Sequence, residues 1–180
     1  MTTTPAPAPP QIPAGYGPFP ADFTSWVTTP FSFLASTTLF RGQLQGSEAL
    51  SGWTLAKLDT VAEDPYGGWS ATATGSQPAY SWLAPAGCSG WCEITLDGLT
   101  NAQSGTAEVW TALYVDGAAY QVASGTLGST TTASGSSGTI AVPLLGGSDY
   151  VQMYIYSSGA VSTPATAGRY PSMEIAWISS

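Results

Sequence analysis

Histidine is absent from this 180-residue sequence, and the basic residues are only Arg41, Lys57 and Arg169, against eleven acidic residues. Without histidine there is no Ser-His-Asp or Cys-His catalysis, and the commonest transition-metal ligand is missing. A net charge of −8 leaves too few cations to neutralise phosphate groups. We therefore expect no nucleic acid and no anionic membrane among the partners.

Long apolar runs and phosphate-binding glycine motifs are also missing. No run is long enough to span a bilayer, and no GxxxxGK[ST] sequence occurs. The first residues, MTTTPAPAPP, have neither a basic region nor an apolar region, so we expect no secretory signal. No cofactor is expected from these features.

The residues that are present favour β-structure. Only 8% are charged while 43% are hydrophobic, glycine occurs 21 times, and no segment repeats apolar residues at helical spacing. Short segments instead alternate apolar and polar residues between turns. These segments are 38–46, 53–61, 91–99, 107–122, 137–145, 149–158 and 171–180.

Several local signals refine this pattern. Asp116-Gly117 predicts a tight hairpin turn, and Pro143 is expected at a sheet edge or at a strand end. The segment 125–139 is rich in Gly, Ser and Thr and predicts a loop. The final strand is expected in the middle of a sheet. The sequence thus predicts an all-β, two-sheet antiparallel sandwich over residues 36–180.

Residues 1–35 predict an extended, Pro-rich N-terminal arm. Its aromatic residues need a surface to bury against, which is either the chain's own domain or a partner. The candidate anchors are Phe19, Phe23, Trp26, Phe31 and Phe33.

Two groups of carboxylates are candidates for chemistry. Glu93, Asp97 and Glu108 lie on segments that are expected to form adjacent strands. They would have to converge to cleave a glycosidic bond, yet alternation directs each to solvent. The acidic turn with Asp59, Glu63 and Asp64 reads as a solvated corner between strands, and calcium is the alternative. The chain is therefore expected not to be an enzyme.

Cys88 and Cys92 are four residues apart in CSGWC. No third cysteine or histidine completes a zinc site, and the spacing is not that of a CxxC redox pair. Two structural roles stay open for them, as free thiols or as a short-loop disulfide.

Five short pieces in order resemble the jelly roll of tumour-necrosis-factor and complement globular-head domains. They are Leu58-Asp59…Gly68-Trp69, Pro85…Gly90-Trp91, Asp116-Gly117, Leu145…Asp149-Val151 and Ile175-Trp177. The sequence departs from that pattern at Ser148, which is inserted, and at Cys92, where an aromatic residue is usual. The resemblance implies a jelly-roll sandwich and a homotrimer. The resemblance also implies that the acidic turn is a solvated corner after an early strand, although some members of the family bind calcium near the trimer.

The N-terminal half is also similar to small virion proteins of tailed bacteriophages, through the combination DFTSWVTTPFSFL, FRGQLQG and EDPYGGW. This resemblance implies a virion structural protein on the exterior of the particle, assembled in the host cytoplasm. The first interpretation is a capsid decoration protein bound to the major capsid protein. The alternative is a minor tail or fibre protein for host attachment, with Trp69, Tyr80 and Trp82 stacking on a host-surface glycan.

The family trimer implies an aromatic face around a three-fold axis. The candidates for it are Tyr150, Tyr154, Tyr156 and Trp177, unless these belong to the core of the monomer. Deleting residues 1–35 is expected to leave a folded trimer that no longer binds particles. Decoration of particles by the truncated chain would show that the arm is not the anchor.

Overall fold

The computed structural model describes residues 38–101, 107–128, 134–164 and 170–179. In these ranges the regular elements are strands, and no helix there is long and apolar enough to cross a lipid bilayer. The strands are β1 (Thr38–Gln43), β2 (Ala49–Leu55), β3 (Thr60–Glu63), β4 (Trp69–Ser70), β5 (Ser81–Leu83), β6 (Gly90–Thr100), β7 (Ala107–Val115), β8 (Ala118–Gly128), β9 (Ser134–Leu144), β10 (Tyr150–Ser162) and β11 (Ser172–Ser179).

The strands form two antiparallel sheets. Sheet 1 has the order β3-β1-β11-β6-β9, so β11 lies between β1 and β6 and β9 lies at an edge. Sheet 2 has the order β4-β5-β10-β7-β8. Strand β2 also pairs with β10, on the side away from β7, because Tyr154 is opposite both Leu55 and Ala112. The predicted edge position of Pro143 in β9 and the central position of the final strand are both confirmed.

Period-two alternation builds the core from the facing sides of the two sheets. In β6 the buried residues include Cys92, Ile94 and Leu96, while Glu93 is exposed. In β10 and β11 the buried apolar residues include Val151, Met153, Ile155, Met173 and Ile175. Each of these sets follows the alternation of apolar and polar residues in its segment, because burying the apolar side chains fixes the register of the strand.

The turn between β7 and β8 is the hairpin predicted at Asp116-Gly117. Both residues have positive φ, 51° and 77°, which is the geometry of a type I′ turn. The Asp116 carboxylate also accepts a hydrogen bond from the backbone N–H of Tyr150 at 3.0 Å. The turn thereby ties the hairpin to the start of β10.

One close approach connects the sheets inside the core. Gly98 of β6 faces Thr111 of β7, and a Cβ atom at Gly98 would overlap the Thr111 side chain. The Thr111 hydroxyl lies 3.2 Å from the Ser136 hydroxyl, and both residues are buried. The two sheets therefore approach each other closely here, and the core contains two hydroxyl groups at this point.

Two predicted boundaries are wrong. The segment 53–61 is not one strand: β2 ends at Leu55, the Ala56 N–H bonds to sheet 2 at Met153, and the Asp59 N–H bonds to sheet 1 at Gln43. The chain crosses between the sheets there, with Ala56 and Leu58 buried. The predicted loop 125–139 is mostly strand, because β8 extends to Gly128 and β9 begins at Ser134.

Candidate functional site

The acidic turn contains three carboxylates with separate partners. Asp59 accepts the backbone N–H groups of Gln45 and Gly46, each at 2.8 Å. Glu63 forms an ion pair with Arg41 at 3.1 Å. In the described ranges no three acidic or cysteine side chains are grouped as metal ligands.

Asp64 closes the corner that follows β3. Its two carboxylate oxygens accept the N–H groups of Gly68 and Trp69 at 3.0 and 2.9 Å. A carboxylate bonded to backbone N–H groups in this way fixes a turn. The geometry is that of the corner expected from the sequence.

The three carboxylates considered for glycoside hydrolysis lie apart. Glu93 and Asp97 are four residues apart on the outer side of β6, about 13 Å at the usual strand rise. Glu108 is on β7 of the other sheet. Glycosidases place the two carboxyl groups about 5 to 9.5 Å apart across the bond. The expected adjacency of their strands is wrong, because β6 and β7 belong to different sheets.

Cys88 and Cys92 are free thiols and both are buried. Burial raises the pKa of Cys92 from its ordinary 9.0 to about 11, and the neighbouring Cys88 adds to this rise. Burial also raises the pKa of Cys88. Thiols held protonated in this way are poor nucleophiles, so the pair has a structural role in this state.

The Cys92 shift predicts how stability depends on pH. A pKa raised in the folded state contributes stability below pH 9 that is lost as the pH rises towards 11. In a reducing buffer, the parent chain should lose about 1 kcal/mol more unfolding free energy than Cys92→Ala between pH 9 and pH 10. Urea unfolding at the two pH values measures this difference. Parallel losses in the two chains would contradict it.

One of the three aromatic residues proposed to stack on sugars is not accessible to a ligand. Trp82 is fully buried, so its role as a stacking residue is wrong. Trp69 is half-buried and stacks on Phe40 with ring centroids 5.0 Å apart. Tyr80 is half-buried and has a φ of 54°, which a bulky side chain rarely adopts.

The four residues proposed for the trimer face lie on different surfaces. Tyr150, Tyr154 and Tyr156 alternate with buried residues of β10 and therefore lie on the outer side of sheet 2. Trp177 is in phase with the buried Met173 and Ile175 of β11 and belongs to the inner side of sheet 1. The four do not share one surface.

The outer side of sheet 2 instead carries an aromatic surface across four neighbouring strands, β2, β10, β7 and β8. We call it the aromatic face. Its members are Trp53, Trp110, Tyr114, Tyr120, Tyr154 and Tyr156. Trp53 and Tyr120 are 43% and 46% exposed, so large apolar area is open to solvent. Surfaces of this kind mark binding sites more often than scattered single residues do.

Cross-strand pairs hold the rings of the aromatic face. Tyr156 pairs with both Trp53 and Trp110, and the Trp53 and Tyr156 ring centroids are 5.2 Å apart. The rings of Tyr114 and Tyr154 are 4.0 Å apart between neighbouring strands. Rings in contact across rigid strands keep a fixed arrangement, which reduces the entropy that binding would cost.

A shallow depression of about 200 Å³ lies within this face. Ala112 is its floor, only 2% exposed, and Trp53, Tyr114, Tyr120 and Val122 stand around it. Pockets that enclose small molecules are usually about 300–1,000 Å³. A ligand would therefore lie on this surface rather than inside it.

Polar atoms accompany the rings. Tyrosine hydroxyls belong to the aromatic face, and the Trp110 indole N–H donates to Glu108 Oε2 at 3.4 Å. Burial, with the neighbouring Tyr114 and Tyr150, raises the pKa of the Tyr154 hydroxyl. That hydroxyl is therefore neutral at pH 7 and can both donate and accept a hydrogen bond.

The sequence carried a signal for this face that was missed. In WTALY (110–114) and SGWTL (51–55), aromatic side chains occupy strand positions opposite in phase to the core. Those positions normally hold polar residues. The neighbours of each ring come from strands distant in sequence, so their assembly into one surface required the sheet order.

No protein-family model and no curated protein matches the sequence. The fold is similar to crystal structures of murine APRIL, a tumour-necrosis-factor-family protein, at pH 5.0 and pH 8.5. The TM-scores are 0.53 and 0.51 and the identities 8% and 9%, over 77% of this chain and 98% of the other. A family 35 carbohydrate-binding module from Clostridium thermocellum aligns at a TM-score of 0.37 and 14% identity, over 78% of this chain and 98% of the module. The predicted jelly-roll sandwich is confirmed.

Proposed function

We propose that this protein is a non-catalytic binding module that holds a carbohydrate on the aromatic face. The observation that carries the proposal is the exposure of Trp53, Trp110 and Tyr120 beside a shallow, Ala-floored depression. The C–H face of a sugar ring packs on an aromatic ring, while tyrosine hydroxyls can form hydrogen bonds with sugar hydroxyls.

The arrangement suits an extended ligand. Four neighbouring strands span about 14 Å at the usual strand spacing, and the rings lie in rows across them. An open platform of this width can contact several sugar rings at once. Each ring adds only a modest stacking energy, so several contacts are needed for useful affinity.

Glycan binding is tested by comparing two tryptophans of similar exposure. Trp53 on the aromatic face is 43% exposed, and Trp91 on sheet 1 is 47% exposed. On a glycan array, followed by titration of the strongest ligand, Trp53→Ala should weaken binding at least about tenfold, whereas Trp91→Ala should keep the parent affinity. Binding to no glycan, or equal losses in both variants, would refute the proposal.

Aromatic residues are also enriched in protein interfaces, so a second copy of the chain is the competing occupant of this face. Light scattering on a sizing column distinguishes the two. A trimer that dissociates in Trp53→Ala would assign the aromatic face to assembly. A mass unchanged by the substitution leaves the face free for a glycan.

The location of the module is a second part of the proposal. We propose that it is displayed on the exterior of a bacteriophage particle, which rests on the sequence resemblance alone. Its glycan would then lie on the host surface, which favours host attachment over capsid decoration. The arm anchors Phe19, Phe23, Trp26, Phe31 and Phe33 lie outside the described residues, and their docking on the capsid stays a prediction.

A further inference from the structure

The charged groups around the aromatic face restrict what it can bind. The sequence has three basic residues, of which Arg41 and Lys57 are described. Arg41 is on sheet 1, on the other side of the sandwich, where Glu63 and Glu174 hold it at 3.1 Å each. Its guanidinium is unavailable to a ligand on sheet 2.

Lys57 follows β2, near the half-buried Tyr80. Its ammonium group forms an ion pair with Glu48, and the Glu48 carboxylate also accepts the Lys57 N–H at 3.3 Å. The charge of Lys57 is therefore already neutralised locally. Recruiting it for a ligand would require breaking this pair.

Negative charge lies at the other end of the face. Glu108 is exposed, and its carboxylate accepts the indole N–H of Trp110. The chain as a whole carries a net charge of −8, which also repels anions. An anionic group on the ligand would face this carboxylate. Packing that group against apolar rings would remove its water, and neither Arg41 nor Lys57, the basic residues that the structure describes, is available to pair with it.

We propose that the aromatic face selects uncharged glycans, that is, chains of neutral sugars without carboxylate, sulfate or phosphate groups. This inference rests on the proposed function. It extends that function by naming the ligand class and by assigning the discrimination against anions to Glu108. The hydroxyl groups of a neutral sugar lose little free energy by lying on the rings, because tyrosine hydroxyls of the aromatic face can replace part of their hydration.

The test compares the affinity of the chain for a neutral glycan with its affinity for a charged derivative of the same glycan. After a glycan array, the full chain is titrated with the strongest neutral ligand and its charged derivative, such as hydroxyethyl- against carboxymethyl-cellulose or dextran against dextran sulfate. In 10 mM salt we expect the acidic member to bind at least about tenfold more weakly. The difference should shrink in 150 mM salt, where charges are screened over about 8 Å.

A charge reversal tests the role of Glu108. Glu108→Lys should raise the affinity for the acidic member and reduce the discrimination in 10 mM salt. Equal or tighter binding of the acidic member by the parent chain would overturn the inference while leaving glycan binding in place. Unchanged discrimination in Glu108→Lys would overturn the assignment to this carboxylate. The absence of any bound glycan on the array would overturn both the inference and the proposed function.

Discussion

Replacing Trp82 with alanine is expected to lower the free energy of unfolding by about 3–5 kcal/mol. Trp82 is fully buried and is the largest of the fully buried side chains in the described core. It pairs with Val151 of β10 and Trp69 of β4, so it joins the short strands of sheet 2 to the central one. Removing it leaves a cavity that rigid strands cannot close.

Replacing Trp82 with phenylalanine distinguishes the effect of lost side-chain volume from the effect of the buried indole N–H group. The Trp82 indole N–H is buried with no hydrogen-bond acceptor among the residues that the structure describes. Trp82→Phe keeps most of the apolar volume and removes this unpaired donor, so it should cost less than half as much as Trp82→Ala. Urea unfolding of the three chains measures both values. A Phe variant as unstable as the Ala variant would show that the indole N–H has a partner.

Gly98→Ala is expected to destabilise the sandwich by about 1–3 kcal/mol. The added methyl group would overlap Thr111 Cγ2, with the Ser136 carbonyl oxygen 3.6 Å and Ile155 Cγ2 3.7 Å away. Thr111 lies on the facing strand, so relief requires either the two sheets to separate or the threonine to move. Close packing makes both costly.

Thr111→Ser provides the matched test of this contact. Serine lacks Cγ2 but keeps the hydroxyl that lies 3.2 Å from the Ser136 hydroxyl. In the double variant Gly98→Ala/Thr111→Ser, the cost of the added methyl group should fall by at least about 1 kcal/mol. Additive effects of the two substitutions would show that the overlap of the added methyl group is relieved by a movement that does not involve Thr111 Cγ2.

The sequence was informative where structure is local. In β6 and β10 the alternation of apolar and polar residues in the sequence matches the observed burial, because burial on one side of a strand has a period of two. Asp116-Gly117 identified the hairpin, because few residue pairs tolerate two positive φ angles. These signals need only a few neighbouring residues.

The sequence was less informative where strands distant in sequence meet. It did not show that Trp53 of β2 lies opposite Tyr156 of β10. Nor did it show that Trp82 of the three-residue strand β5 is buried. A strand of three residues has too few positions to reveal which side faces the core. The crossing at Ala56 was also missed, because its backbone partners Met153 and Gln43 lie in other parts of the chain.

The central position of β11 has a consequence for biosynthesis. This strand pairs with β1 over Thr38–Gln43 on one side and with β6 on the other, so the middle of sheet 1 is filled last as the chain leaves the ribosome. Until residues 172–179 emerge, β1 and β6 have no neighbour on these edges. Pairing over such sequence separations is slow. Sheet 1 therefore cannot close before residues 172–179 are available, and until then the edges of β1 and β6 are open to pairing with other chains.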